Sequence, residues 1–244
     1  MIGGFAIRRA VCGALLVIAL LLLGFPAGAE LRLDITRGTA QPLPIAIPPL
    51  PGPGDAGQVG REIADVVAAD LERSGLFRPL DQKGFAERIT NINTVPTFAT
   101  WRSITAQGLV TGQVTQQPDG RLRVDFRLWD VYGESQMLGL QYFTTPENWR
   151  RIAHKVSDAI YERITGEKGY FDTRIVFISE TGPALKRVKR LAIMDEDGFN
   201  PIFLTNGSYM VLTPRFNPTA QMIAYMSYIG AKPRVYLFDI EKGQ

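Results

Sequence analysis

The chain carries a single histidine, His154, with Ser157 and Asp158 close behind it, and these are the residue types of nucleophilic hydrolysis. His154 and Asp158 stand one helical turn apart, so a helix would bring them to one face. The remaining parts of such a machine do not follow. No G-x-S-x-G elbow occurs in the chain, and a nucleophile, base and orienting acid all carried on one surface helix would lack an oxyanion hole. The spacing favours a capping or salt-linked structural histidine, and no catalytic residue is assigned.

Gly52, Gly54 and Gly57 fit G-x-G-x-x-G, and Asp81 follows 24 residues after the last glycine. That pattern could open a dinucleotide site. Phosphate binding there needs free backbone N–H groups at a positive helix end, yet Pro53 removes one donor and Asp55 places a carboxylate where the pyrophosphate would sit. The glycines are read as a turn, and no cofactor is expected. Asp195-Glu196-Asp197-Gly198 resembles the start of a calcium loop, but the later ligand positions are not filled. It too is read as a turn. With His154 alone and Cys12 alone, the ligands of a zinc site are lacking, and no metal is expected.

Positioning begins with export. Met1 to Ala29 has a positive start at Arg8 and Arg9, an apolar run from Val11 to Leu23, and the small residues Ala27-Gly28-Ala29. This is a secretory signal peptide with cleavage between Ala29 and Glu30. The thirteen-residue run rises only about 20 Å as a helix, short of the roughly 30 Å hydrocarbon layer. Cys12 lies inside the run rather than at the cleavage site, so no lipid attachment is expected. Cleavage lowers the formal charge from +3 to +1 and removes the only cysteine. The mature chain must rest on an apolar core without disulfides, and near-neutral charge argues against nucleic acid as a partner.

Glu30, Leu31, Arg32, Leu33, Asp34 and Ile35 alternate polar and apolar residues up to a Pro-rich stretch at Pro42 and Pro44, which reads as a weakly tethered strand, an arm over residues 30–42. Such a strand is either an edge of the next sheet or a piece that adds itself to a partner's sheet. Leu43 to Pro48 reads as a buried strand. Val59, Ile63, Val66, Val67 and Leu71 then fall at helical spacing over 58–73, with Asp55 near the cap and Gly75 as the stop. Strand Leu76–Leu80 and a short helix over 97–104 follow. A hairpin turns at Pro118-Asp119-Gly120, where Leu122, Val124, Phe126 and Leu128 alternate with Arg121, Arg123, Asp125 and Arg127; the charged set reads as a solvated face. Met137–Phe143 extends that sheet. Thr145-Pro146-Glu147 starts a helix whose stripe is Trp149, Ile152, Ala153, Val156, Ile160 and Ile164, ended by Gly166. Residues 43–168 therefore predict a two-layer α/β domain.

From 169 to 244 the pattern changes to short strands. Ile175 and Ile223 are 48 residues apart and Leu191 and Leu237 are 46 apart, close to the ~40–50 residues of a propeller blade. The basic run Lys186 to Arg190 reads as a solvated strand start. The expected fold class is α+β, an α/β domain followed by one and a half blades of an all-β propeller. A propeller avoids exposed edges by closing its ring, so the sequence is expected to be incomplete.

Gly52-Pro53-Gly54, Ala68-Ala69-Asp70-Leu71 with Ser74-Gly75, Gly112-Gln113-Val114 with Pro118-Asp119-Gly120, His154 with Ser157-Asp158, Leu191 to Asp195 with Asp197-Gly198, and Ile223-Ala224-Tyr225 together resemble the TolB family of the Tol-Pal system. The resemblance covers the mature length and implies a six-bladed propeller and a monomeric, non-enzymatic periplasmic adaptor. It implies that the arm Glu30 to Ile35 binds TolA, switching between docked and free, and that the propeller binds the lipoprotein Pal. The implied roles are outer-membrane integrity and envelope constriction at division. Two departures are expected: the chain stops in the second blade, and the first blade lacks its innermost strand. The alternatives are a propeller-gated serine peptidase or hydrolase without its catalytic domain, and a periplasmic ligand-binding module.

Overall fold

The computed structural model of the chain describes residue 31 and residues 41–229 and 232–243. The expected leader, its cleavage point and all of the expected arm except residues 31, 41 and 42 lie outside the described residues. Strand β1 (Leu43–Ala46), helix α1 (Asp55–Arg73) and strand β2 (Phe77–Pro79) open the α/β part, and β1 pairs with β2 in parallel. Helix α2 (Phe98–Ser103) leads to the meander β3 (Gly108–Gln116), β4 (Leu122–Asp130) and β5 (Ser135–Thr144). Strand β3 returns to β1, also in parallel, so the five-stranded order is β2-β1-β3-β4-β5.

One face of this sheet is covered by α1 and by α3 (Trp149–Thr165). Ile63, Val67 and Leu71 of α1 and Ile152, Val156, Ile160 and Ile164 of α3 meet Val110, Val114, Val124, Phe126 and Leu128. Each such side chain contributes about 1.5–3 kcal/mol on burial, which is what a domain without disulfides requires. The opposite face holds a smaller cluster in which Ala46, Leu109, Trp129 and Val131 pack on Phe98 and Trp101 of α2. Leu109 and Val110 are neighbours on opposite faces, as the pleat demands.

Three local expectations change. Helix α1 begins at Asp55, with Gly54 as its N-cap, because Asp55 fits the first turn, where the helix dipole favours a carboxylate. The Thr145-Pro146-Glu147 start is a 3-10 turn, Pro146–Asn148, that runs into α3. On β4 the charged face is not simply solvated: Asp125 is buried beneath Gln113 and Arg123, and Arg127 donates to Asn93 at 2.8 Å. The segment before α2 therefore reaches over that face.

Beyond α3 lie two three-stranded antiparallel sheets. Strands β6 (Arg174–Thr181), β7 (Val188–Asp195) and β8 (Ile202–Phe203) form one; β9 (Val211–Phe216), β10 (Met222–Ser227) and β11 (Arg234–Asp239) form the other. They share a core of Leu191, Ile193, Val211, Ile223, Tyr225 and Phe238. The offsets of 48 and 46 residues superpose β6 on β10 and β7 on β11, which leaves β9 without a counterpart in the first sheet. This is the start of a propeller, and its sheets do not close into a ring among the described residues. No described helix is long and apolar enough to cross a membrane.

Candidate functional site

Of the residues Glu30 to Ile35, Leu31 alone is described. Its amide donates to Oδ2 of Asp130 at 3.2 Å, and its side chain packs against the main core. Asp130 ends β4 and is 4% exposed. Its Oδ1 accepts the amides of Tyr132 at 3.0 Å and Gly133 at 2.8 Å, so the carboxylate is fixed by the turn it caps as well as meeting Leu31. Sequence reading did not single out Asp130. The run Asp130-Val131-Tyr132-Gly133 carries a usable signal, an aspartate whose side chain can fold back onto the next amides of a turn.

His154 and Ser157 sit on the side of α3 away from solvent, 2% and 0% exposed. Both turn to Asp70 of α1: Nδ1 of His154 and Oγ of Ser157 each lie 2.8 Å from Asp70 Oδ2. The histidine is salt-linked and structural, and the helix face expected at the surface is buried against α1. Asp158 points elsewhere, its carboxylate accepting the amides of Phe171 at 2.7 Å and Asp172 at 3.2 Å. Burial raises the Asp158 pKa against the pull of those two amides. With the serine hydroxyl donating to a buried carboxylate, and acid and base facing different partners, the three residues do not form a nucleophilic set.

The turn after β7 completes this junction. Gly198 donates to Asp195 O at 3.0 Å with φ +87°, and Asp197 Oδ1 accepts Phe199 N at 3.1 Å, as expected of a turn. The same turn docks on the α/β part. Arg150 of α3 pairs with Asp197 and stacks 3.8 Å from the Phe199 ring centroid, and Arg73 of α1 pairs with Glu196. Asp197 Oδ2 lies 3.8 Å from Nε2 of His154. Burial raises the Asp197 pKa, but the hydrogen bond from Arg150 and then the amide of Phe199 outweigh it and hold it low.

Asp70, His154 and Asp197 offer ligand atoms within 4.8 Å of one another. A cation does not suit them. Two arginines already neutralise Asp70 and Asp197, and Nδ1 of the imidazole is committed to Asp70. The glycine-rich loop is explained by packing: a Cβ on Gly57 would lie 2.7 Å from Gly52 O, one on Gly52 would lie 2.5 Å from Val114 O, and one on Gly60 would lie 1.9 Å from Leu50 O.

Two family models match the chain: the TolB amino-terminal domain over residues 31–137 and the TolB beta propeller domain over residues 161–244. The crystal structure of TolB from Acinetobacter baumannii is similar over 88% of this chain, with 31% identity and a TM-score of 0.70. The chain belongs to the TolB family. It spans about half of the Acinetobacter TolB structure, 51% of its length. Weaker likenesses are to the PelC dodecamer from Paraburkholderia phytofirmans, at 15% identity, 54% of this chain and 94% of that one and a TM-score of 0.36, and to the LpoB C-terminal domain from Salmonella enterica, at 10%, 46%, 87% and 0.32. In this TolB-family chain Asp70 belongs to the amino-terminal match and Asp197 to the propeller match, while His154 lies in the helix between them.

Proposed function

We propose that the chain is the amino-terminal half of a non-enzymatic periplasmic adaptor of the Tol-Pal system. In this reading residues 1–29 direct export and are removed, residues 30–42 form the TolA-binding arm, residues 43–168 are the scaffold, and residues 169–244 begin the propeller that holds Pal. The adaptor is monomeric and serves outer-membrane integrity and envelope constriction at division. The reading is carried by the succession of a TolB amino-terminal domain and a TolB propeller in one chain. The hydrogen bond of Leu31 to Asp130 and the packing of its side chain on the core support a docked state of the arm, which exchanges for the partner.

Titration calorimetry of the mature protein with purified TolA and, separately, with Pal tests this. Deleting Glu30 to Ile35 should abolish TolA binding and spare Pal binding. Undiminished TolA binding overturns the arm assignment, and failure of the intact protein to bind either partner overturns the adaptor.

A further inference from the structure

Seven charged or titratable groups surround or adjoin His154. From α1 come Asp70 and Arg73; from α3, Arg150 and Asp158; from the connection after it, Tyr170; from the turn after β7, Glu196 and Asp197. Asp158 is satisfied by two backbone amides, and Tyr170 is an uncharged phenol whose pKa is raised further. The remaining carboxylates, Asp70, Glu196 and Asp197, face two guanidiniums, Arg73 and Arg150. The imidazole lies against two of these carboxylates, Asp70 at 2.8 Å and Asp197 at 3.8 Å.

The geometry around Nε2 favours a protonated ring. This nitrogen is buried, has no hydrogen-bond partner among the described residues, and lies 3.8 Å from Oδ2 of Asp197. In the neutral ring, with the proton on Nδ1 donated to Asp70, Nε2 presents a lone pair to a buried carboxylate. Adding a proton turns that repulsion into attraction across the boundary between α3 and the first blade.

We propose that a proton on Nε2 of His154 locks the turn Glu196–Phe199 onto the α/β domain, and that its loss loosens the first blade from that domain. The device is a pH-gated junction and does not depend on the adaptor reading. Burial alone pulls the imidazole pKa down, but the hydrogen bond and charge of Asp70 and the charge of Asp197 outweigh burial and the repulsion of Arg150, leaving it raised. A raised folded-state value makes the lock complete below the ordinary histidine pKa of about 6.5, and the lock fades as pH rises through the folded value.

Because the chain has one histidine, ¹⁵N-histidine labelling of the whole chain reports His154 without assignment. The ring should carry protons on both nitrogens at pH 6.5 and titrate above the ordinary value. Hydrogen-exchange protection factors of the Gly198 and Phe199 amides should fall in step with it, by at most about tenfold per pH unit for one proton. His154→Gln should remove that pH dependence, and Asp197→Asn should lower the imidazole pKa and open the turn across the range. A ring already neutral at pH 6.5, or protection that ignores its titration, overturns the proposal. So does stoichiometric Zn²⁺ that shifts the ring nitrogens and protects the turn, since the cluster would then be a metal site. The wild-type titration needs no variant to fold.

Discussion

Asp70 and His154, 84 positions apart, meet at 2.8 Å in a part of the molecule where Asp70 is 0% exposed. The same carboxylate also takes the Ser157 hydroxyl on Oδ2 and Arg73 on Oδ1, so it is the fixed point on which α1 and α3 are registered. A buried charge of this kind is tolerable only while its partners are present, and its removal leaves several polar groups dry at once.

Asp70→Ala should therefore destabilise the chain by about 3–5 kcal/mol, the scale for breaking a buried pair, as read by urea unfolding. Asp70→Asn keeps the shape and should cost less. The cost of His154→Gln should depend on pH: large below the ordinary imidazole pKa of about 6.5 and smaller as pH rises through the raised folded value, because the protonated ring is what stabilises the fold. Equal costs at pH 5.5 and pH 9 would contradict the assignment.

Two glycines of α1 and its exit separate packing from backbone conformation. A Cβ at Gly60 would lie 1.9 Å from the Leu50 carbonyl, and neither backbone can yield easily. Gly60→Ala should cost about 1–3 kcal/mol or more, as overpacking does. Gly75 has φ +73° with open space around it, so Gly75→Ala should cost only the left-handed penalty of about 1–2 kcal/mol. Thermal unfolding of both variants ranks them, and the reverse order would show that the loop at Leu50 is free to move.

The apolar stripe of α3 was legible because its residues repeat every three or four positions, and all but Trp149 of the expected set is buried. The alternation of β4 was legible for the same reason. The partners of His154 were not. Asp70, Glu196 and Asp197 join it only through tertiary folding, and a buried polar residue on the flank of an apolar stripe looks like a surface residue in sequence. Asp125 misled in the same way: its alternation placed it outward, but the segment before α2 that covers that face carries no periodic signal. Asp130 looked like an ordinary strand end because its second partner, Leu31, lies 99 residues away.

Asp130→Asn retains an oxygen for the turn amides but places its NH2 group, a donor, opposite the donating Leu31 amide, so the hold on Leu31 is lost. Amide exchange at Leu31 should quicken. If the docked arm competes with TolA, the apparent TolA affinity of the mature protein should rise, by at most the inverse of the fraction of arm that is free in the wild type. Slower Leu31 exchange, or weaker TolA binding with Pal binding intact, would show that Asp130 presents the arm rather than restraining it.

Strand β11 is an edge of its sheet, and its outward Val235 and Leu237 are 75% and 63% exposed. Unpaired backbone groups beside exposed β-branched and aliphatic side chains form a template for pairing with another copy. The 244-residue chain should therefore self-associate at micromolar concentration, as measured by light scattering behind size-exclusion chromatography. Val235→Lys with Leu237→Lys should reduce that association, because a charged edge repels its own copy. The cost in unfolding free energy should be within about 0.5 kcal/mol, the usual range for surface positions. A double variant that associates as strongly as the wild type would place the contact elsewhere. The exposed Ile202 and Phe203 of β8 would then be next to test, because they form an edge of the other sheet.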